Sequence, residues 1–140
     1  MEPLSSTASV IAVVQLTGLI TQICGKYLKN VENAKRDIQH FQEKIIALAQ
    51  VLQSLNELLR GSNGIELTAT KSLVDNIATC HSALTKLKEK IDPETTQGHM
   101  RKWGLRAFKW PLTQLELNNA LNEIEGYKTT FSFSLQVDQM

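Results

Sequence analysis

Between Pro3 and Gly25 the chain has no Asp, Glu, Lys or Arg; the nearest charges are Glu2 and Lys26. Net charge is scarce as well. Fifteen Lys and Arg stand against 14 Asp and Glu in 140 residues, a formal charge of +1. That balance removes any global pull toward nucleic acid and leaves an electrostatic partner to a local patch. Cysteine is limited to Cys24 and Cys80. Both fall in apolar helical patterns, where free thiols are normally buried, so a reduced, intracellular protein is expected. The opening residues carry Glu2 and no Lys or Arg, unlike a secretory signal. No uninterrupted apolar run reaches the roughly eighteen residues that mark a membrane span by default.

Catalytic patterns are missing too. His40, His81 and His99 lie on three separate segments, and no CxxC or HxxxH spacing occurs. A zinc site needs ligands that converge, so no metal and no cofactor are expected. No Ser, His and acid constellation is visible, and the many Ser and Thr residues have no positioned base. Nor is there a GxxxxGK[ST] loop; Thr70-Lys71-Ser72 lacks the glycines that let backbone N–H groups cradle phosphate. The expectation is that the chain is not an enzyme.

What the sequence does contain is helical periodicity, enough for one domain with a real core. A first helix is expected from about Ser5 or Ser6, which can cap it, to about Asn30. On it Val10, Val13, Leu16, Ile20, Ile23 and Tyr27 share one face, with Thr17, Gly18, Gln22 and Gly25 expected on the other. Gly18 and Gly25 lie seven residues apart, where small side chains let another helix approach closely. A helix over this stretch is roughly 35 Å long, sufficient for a bilayer core. Gln15, Thr17, Thr21 and Gln22 make it less apolar than a constitutive span. It reads either as the buried helix of a bundle or as a helix able to leave the bundle for a membrane.

Helix two is expected from Val31 through Ala34, Ile38, Phe41, Ile45, Leu48, Leu52 and Leu55 to Leu59, at alternating steps of three and four. This 3.5-residue period favours near-parallel helix packing. In so short a chain it reads as intramolecular core before it reads as a coiled-coil dimer. Arg60-Gly61-Ser62-Asn63-Gly64 ends the helix. Helix three, from about Thr68, repeats the spacing in Leu73, Ile77, Cys80, Leu84, Leu87 and Ile91, and Asp92-Pro93 stops it. Helix four starts at Thr113-x-x-Glu116, a capping-box spacing, and continues through Leu117, Leu121, Ile124, Tyr127, Phe131 and Leu135. Only Thr130 to Val137 has competing strand-like content. The fold class expected is an all-α bundle of four long helices, with a short basic helix around Met100 to Lys109 between the third and fourth.

That basic segment holds Arg101, Lys102, Arg106 and Lys109, interleaved with Trp103, Phe108 and Trp110, and no acid. Its cations suit anionic lipid headgroups, at about 1 kcal/mol each near a charged bilayer. Trp103 and Trp110 suit the membrane interface. Equally, the aromatics could plug the bundle end with the cations solvated. A footprint of four cations is small for nucleic acid, which is not expected as a partner.

Three stretches point to a family. They are the opening MEPLSSTASVIAVVQLTGLI with Lys26-Tyr27-Leu28 leading to Val31, the bridge Lys102-Trp103-Gly104-Leu105-Arg106-Ala107-Phe108-Lys109-Trp110-Pro111, and the terminal Ile124 to Gln136. Together they resemble the fungal N-terminal HeLo-like domain at the head of STAND receptors, over essentially the whole chain. The resemblance implies a helical bundle related to the HeLo and HELL cell-death domains, followed in the full receptor by a nucleotide-binding domain. It implies clustering on activation and membrane disruption through the first helix. On these expectations Leu4, Val10, Ile11, Val13, Val14, Leu16, Ile20 and Ile23 would enter the membrane. The protein would be cytoplasmic at rest and at the plasma membrane when active. The competing class is an adaptor or oligomerisation module that binds protein partners and never enters a membrane.

Overall fold

In the computed structural model, residues 6–31, 34–61, 70–92 and 110–138 are described. Four α-helices account for almost all of them: α1 Ser6–Asn30, α2 Lys35–Gly61, α3 Thr70–Ile91 and α4 Gln114–Asp138. No strand occurs among the described residues. The all-α bundle expected from periodicity is what the chain forms. The expected short helix at Met100 to Lys109 lies outside the described residues.

At α4 the apolar stripe and the end signal agree. At the start of α4 the capping box closes in both directions. The Glu116 amide donates to Thr113 Oγ1 at 3.1 Å, and the Thr113 amide donates to Glu116 Oε1 at 2.9 Å, so two otherwise unpaired N–H groups are satisfied. The strand-like content of Thr130 to Val137 does not prevail: α4 runs through it. Burial of Phe131 in the core outweighs the local β-preference of its neighbours.

The start of helix two needs correction. The apolar steps begin at Val31, but α2 begins at Lys35. Ala34 sits at φ 64°, in the left-handed region that costs a non-glycine residue roughly 1–2 kcal/mol. Its carbonyl accepts the first helical bond, from the Ile38 amide at 2.9 Å. Val31 and Ala34 still pack into the core, so the periodicity reports their burial correctly and their backbone wrongly.

The helices close into a ring in the order α1, α2, α4, α3, with α1 and α4 at opposite corners. One core runs through the bundle, from Val10, Val13, Ile20 and Tyr27 on α1, through Phe41, Ile45 and Leu52 on α2 and Ile77 and Leu84 on α3, to Ile124 and Phe131 on α4. Ion pairs lie at the rim. Lys44 Nζ meets Glu125 Oε1 at 3.0 Å between α2 and α4, and Lys90 pairs with Glu116 between α3 and α4. Partly exposed pairs of this kind contribute little stability each; they orient the helices.

Candidate functional site

The first helix holds most of the residues expected to meet a membrane, and its geometry follows from its apolar face. Val10, Val13, Leu16, Ile20, Ile23 and Tyr27 are all buried, as their spacing predicts. Of the residues expected to meet a membrane, Val10, Val13, Leu16, Ile20 and Ile23 are therefore core residues in this fold. Val14 is half-buried, Ile11 is exposed, and Leu4 lies outside the described residues. Thr17 corrects the sequence expectation. It was expected on the polar side but is buried, 1 % exposed, because its position falls between Val13, Ile20 and Cys24 around the helix rather than beside Gly18.

Burial of Thr17 is tolerated because its hydroxyl is satisfied locally. Thr17 Oγ1 donates to the Val14 carbonyl at 2.6 Å, and Thr21 Oγ1 donates to the Thr17 carbonyl at 2.8 Å. Such back-bonding keeps polar groups inside the helix's own hydrogen-bond system. A helix arranged in this way presents fewer unmet polar groups to a non-polar medium. Between Val10 and Lys29 it is long and apolar enough to cross a membrane by length and composition, a test that buried core helices also pass.

Polar contacts among the described residues tie α1 to α2 and α3. Gln42 Nε2 of α2 donates to the Thr21 carbonyl at 3.1 Å. Tyr27, fully buried, donates its hydroxyl to the Ile91 carbonyl at the end of α3 at 2.6 Å. The Tyr27 ring meets Trp110 edge-on, with centroids 5.1 Å apart, and Trp110 meets Phe41 at 5.7 Å. Trp110 thus closes one end of the bundle, joining α1, α2 and the approach to α4. Of the two indoles expected at an interface, this one is engaged by aromatic neighbours. Trp103 and the cations Arg101, Lys102, Arg106 and Lys109 lie outside the described residues.

Gly18 is exposed and Gly25 is half-buried, and a Cβ built on either would meet nothing within 4 Å. Among the described residues, neither position is in contact with a neighbouring helix at that distance. The thiols of Cys24 and Cys80 are free and buried, and burial pushes both up to about 12. They act as apolar core groups, since a thiol that does not ionise near neutral pH is a poor nucleophile.

Sequence reasoning did not find the groove between α3 and α4. It has a volume of about 540 Å³ and is lined by Ala78, Ser82, Lys86, Leu87, Glu123 and Tyr127, among others. Small residues at Ala78, Ser82 and Ala83 leave it open, a signal present in helix three but without meaning until α4 is placed beside it. No group of three or more His, Cys, Asp or Glu that could hold a metal occurs among the described residues.

The fold and this site define a helical bundle in which one helix, α1, is apolar and free of charge from Ser6 to Gly25 and is tied to its neighbours by identifiable contacts. A family model matches residues 1–140, and the chain belongs to that family: the N-terminal domain of the pigment biosynthesis cluster protein PigL, a fungal-associated domain. No curated protein and no solved structure matches the chain.

Proposed function

We propose that this chain is a HeLo-like effector or signalling head of a fungal immune-type receptor. Clustering, driven in the full receptor by a nucleotide-binding domain, brings several bundles to an anionic membrane, and α1 then leaves the bundle and inserts. The observation that carries this reading is the character of α1, which is free of charge from Val10 to Gly25, long enough to span, and internally hydrogen-bonded at Thr17 and Thr21.

Energetics make the step conditional. Six large α1 side chains are buried in the core; exposing each to water costs roughly 1.5–3 kcal/mol, on the order of 10 kcal/mol together. Unassisted release into water is therefore negligible. A bilayer removes the same side chains from water again, so the cost is largely offset only at a membrane. Cationic Arg101, Lys102, Arg106 and Lys109 would supply headgroup capture, and the protein would move from cytoplasm to plasma membrane on activation.

Dye leakage from liposomes with and without anionic lipid, at two salt concentrations, tests this. Leakage that requires anionic lipid and weakens with salt is the expected result. A folded chain that neither binds nor permeabilises such liposomes, even when artificially clustered on a multivalent carrier, overturns it in favour of an adaptor that binds proteins through its helix faces.

A further inference from the structure

Helices α1 and α2 share one apolar register. On α1 the buried positions Val13, Thr17, Ile20, Cys24 and Tyr27 follow one another at alternating steps of four and three. The next steps land on Val31 and Ala34 in the connection, both packed into the core, and then on Ile38, Phe41, Ile45 and Leu48 of α2. The alternation thus passes through the chain reversal without losing a residue. A hairpin does not require this, because a turn lets the second helix start its stripe at any angle. One straight helix does require it, since only an unbroken 3.5-residue period keeps a long stripe on one face.

The reversal itself is poorly encoded. No glycine or proline occurs between Lys26 and Gly61, whereas α2 ends in Gly61 and Pro93 follows the end of α3. The chain instead holds Ala34 at φ 64°, a left-handed conformation that its Cβ resists. Helical bonds already reach the joint from both sides. The Val31 amide donates to the Tyr27 carbonyl at 2.9 Å, and the Ala34 carbonyl accepts from the Ile38 amide at 2.9 Å. Straightening the joint relieves Ala34 and lets one helical ladder run on.

We propose that this joint straightens to make α1 and α2 one long helix, and that two copies do so together, each placing its α1 in the slot the other has vacated. A lone chain does not open in water, because it would expose the buried face of α1 and the core that α1 covers. A second copy is the occupant because its slot already fits this helix. It holds the same Gln42 donor for the Thr21 carbonyl and the same Ile91 carbonyl for the Tyr27 hydroxyl. The lengths match as well. With 25 residues in α1 and 27 in α2, the joint lies near the middle of a helix roughly 85 Å long. Two such helices, antiparallel about a two-fold axis at their joints, lay α1 of each on α2 of the other. Reciprocal exchange closes at a dimer, and a short strained hinge favours it. It reuses interior contacts, needs no pairing of exposed faces, and stands whether or not α1 ever enters a bilayer.

The test refolds wild type, Ala34→Gly and Ala34→Val from urea without lipid at roughly 1 mM and separates monomer from dimer by size-exclusion chromatography. Spin labels on Gln15→Cys and Gln50→Cys, both exposed positions, read the joint in labelled chains diluted with unlabelled ones; Cys24 and Cys80 are buried. Gln42 meets the Thr21 carbonyl, so the labels stand near one level of the closed hairpin, about 10–20 Å apart. On a straight helix the same stretch of chain separates them by about 50 Å. The long distance is expected in the dimer and the short one in the monomer. Glycine takes positive φ freely and weakens a helix interior, so Ala34→Gly should lower dimer affinity roughly a hundredfold or more. A β-branched residue resists the turn, so Ala34→Val should raise it. Wild type that stays monomeric throughout overturns the proposal. So does a dimer that keeps the short distance, which is a surface contact, or one whose yield Ala34→Gly leaves unchanged. If Ala34→Val loses helix by far-UV circular dichroism, wild type, Ala34→Gly and the label distance decide.

Discussion

Tyr27→Phe isolates the contact that ties α1 to the end of α3. The substitution keeps the ring and its edge-on approach to Trp110 at 5.1 Å and removes only the hydroxyl, which donates to the Ile91 carbonyl at 2.6 Å. Ile91 is the last residue of α3, so its carbonyl has no partner within the helix. Tyr27 and Ile91 are both fully buried, which leaves water unable to replace the lost donor easily. An unsatisfied buried acceptor costs about 1–3 kcal/mol. For a domain of this size that lowers Tm by about 3–10 °C, and with a urea m-value of roughly 2 kcal/mol/M it lowers the midpoint by about 0.5–1.5 M. Urea unfolding followed by far-UV circular dichroism and tryptophan fluorescence measures it, with m unchanged if the native fold is kept. A midpoint indistinguishable from wild type would refute the reasoning, showing that the hydroxyl adds nothing beyond the ring.

Three further outcomes are expected. Thr113→Ala removes one arm of the capping box and should lower stability by about 1 kcal/mol, read as a shift in urea midpoint that Thr113→Ser largely restores. Cys24 and Cys80, buried and pushed up to about 12, should resist a thiol-specific reagent at pH 8 in the folded protein and react fully once denatured; rapid native labelling of either thiol would contradict the core placement. Hydrogen bonding from Lys90 and Lys44 holds the Glu116 and Glu125 carboxyls below their ordinary value of 4.5. Because the folded values are depressed, the stabilisation is present above the unfolded value and is lost as pH falls through the folded ones. Thermal stability should therefore decline on acidification below about pH 4.5, and Glu125→Gln should flatten that decline, measured by Tm against pH.

Periodicity by itself determined that the chain is an all-α bundle, because the positions that return every three or four residues must find a common apolar surface or remain in water. It named the buried face of α1 from Val10 to Tyr27, and the capping-box letters at Thr113 and Glu116 located the start of α4, since cap chemistry is local and acts over one turn. What depends on neighbours distant in sequence was decided only by the tertiary structure. Thr17 is buried because α1 has helices on two sides, and the break at Ala34 follows from turning one apolar stripe back upon another. Trp110 reaches Tyr27 and Phe41 across 83 and 69 residues of chain (110 − 27 and 110 − 41), a meeting no local pattern encodes.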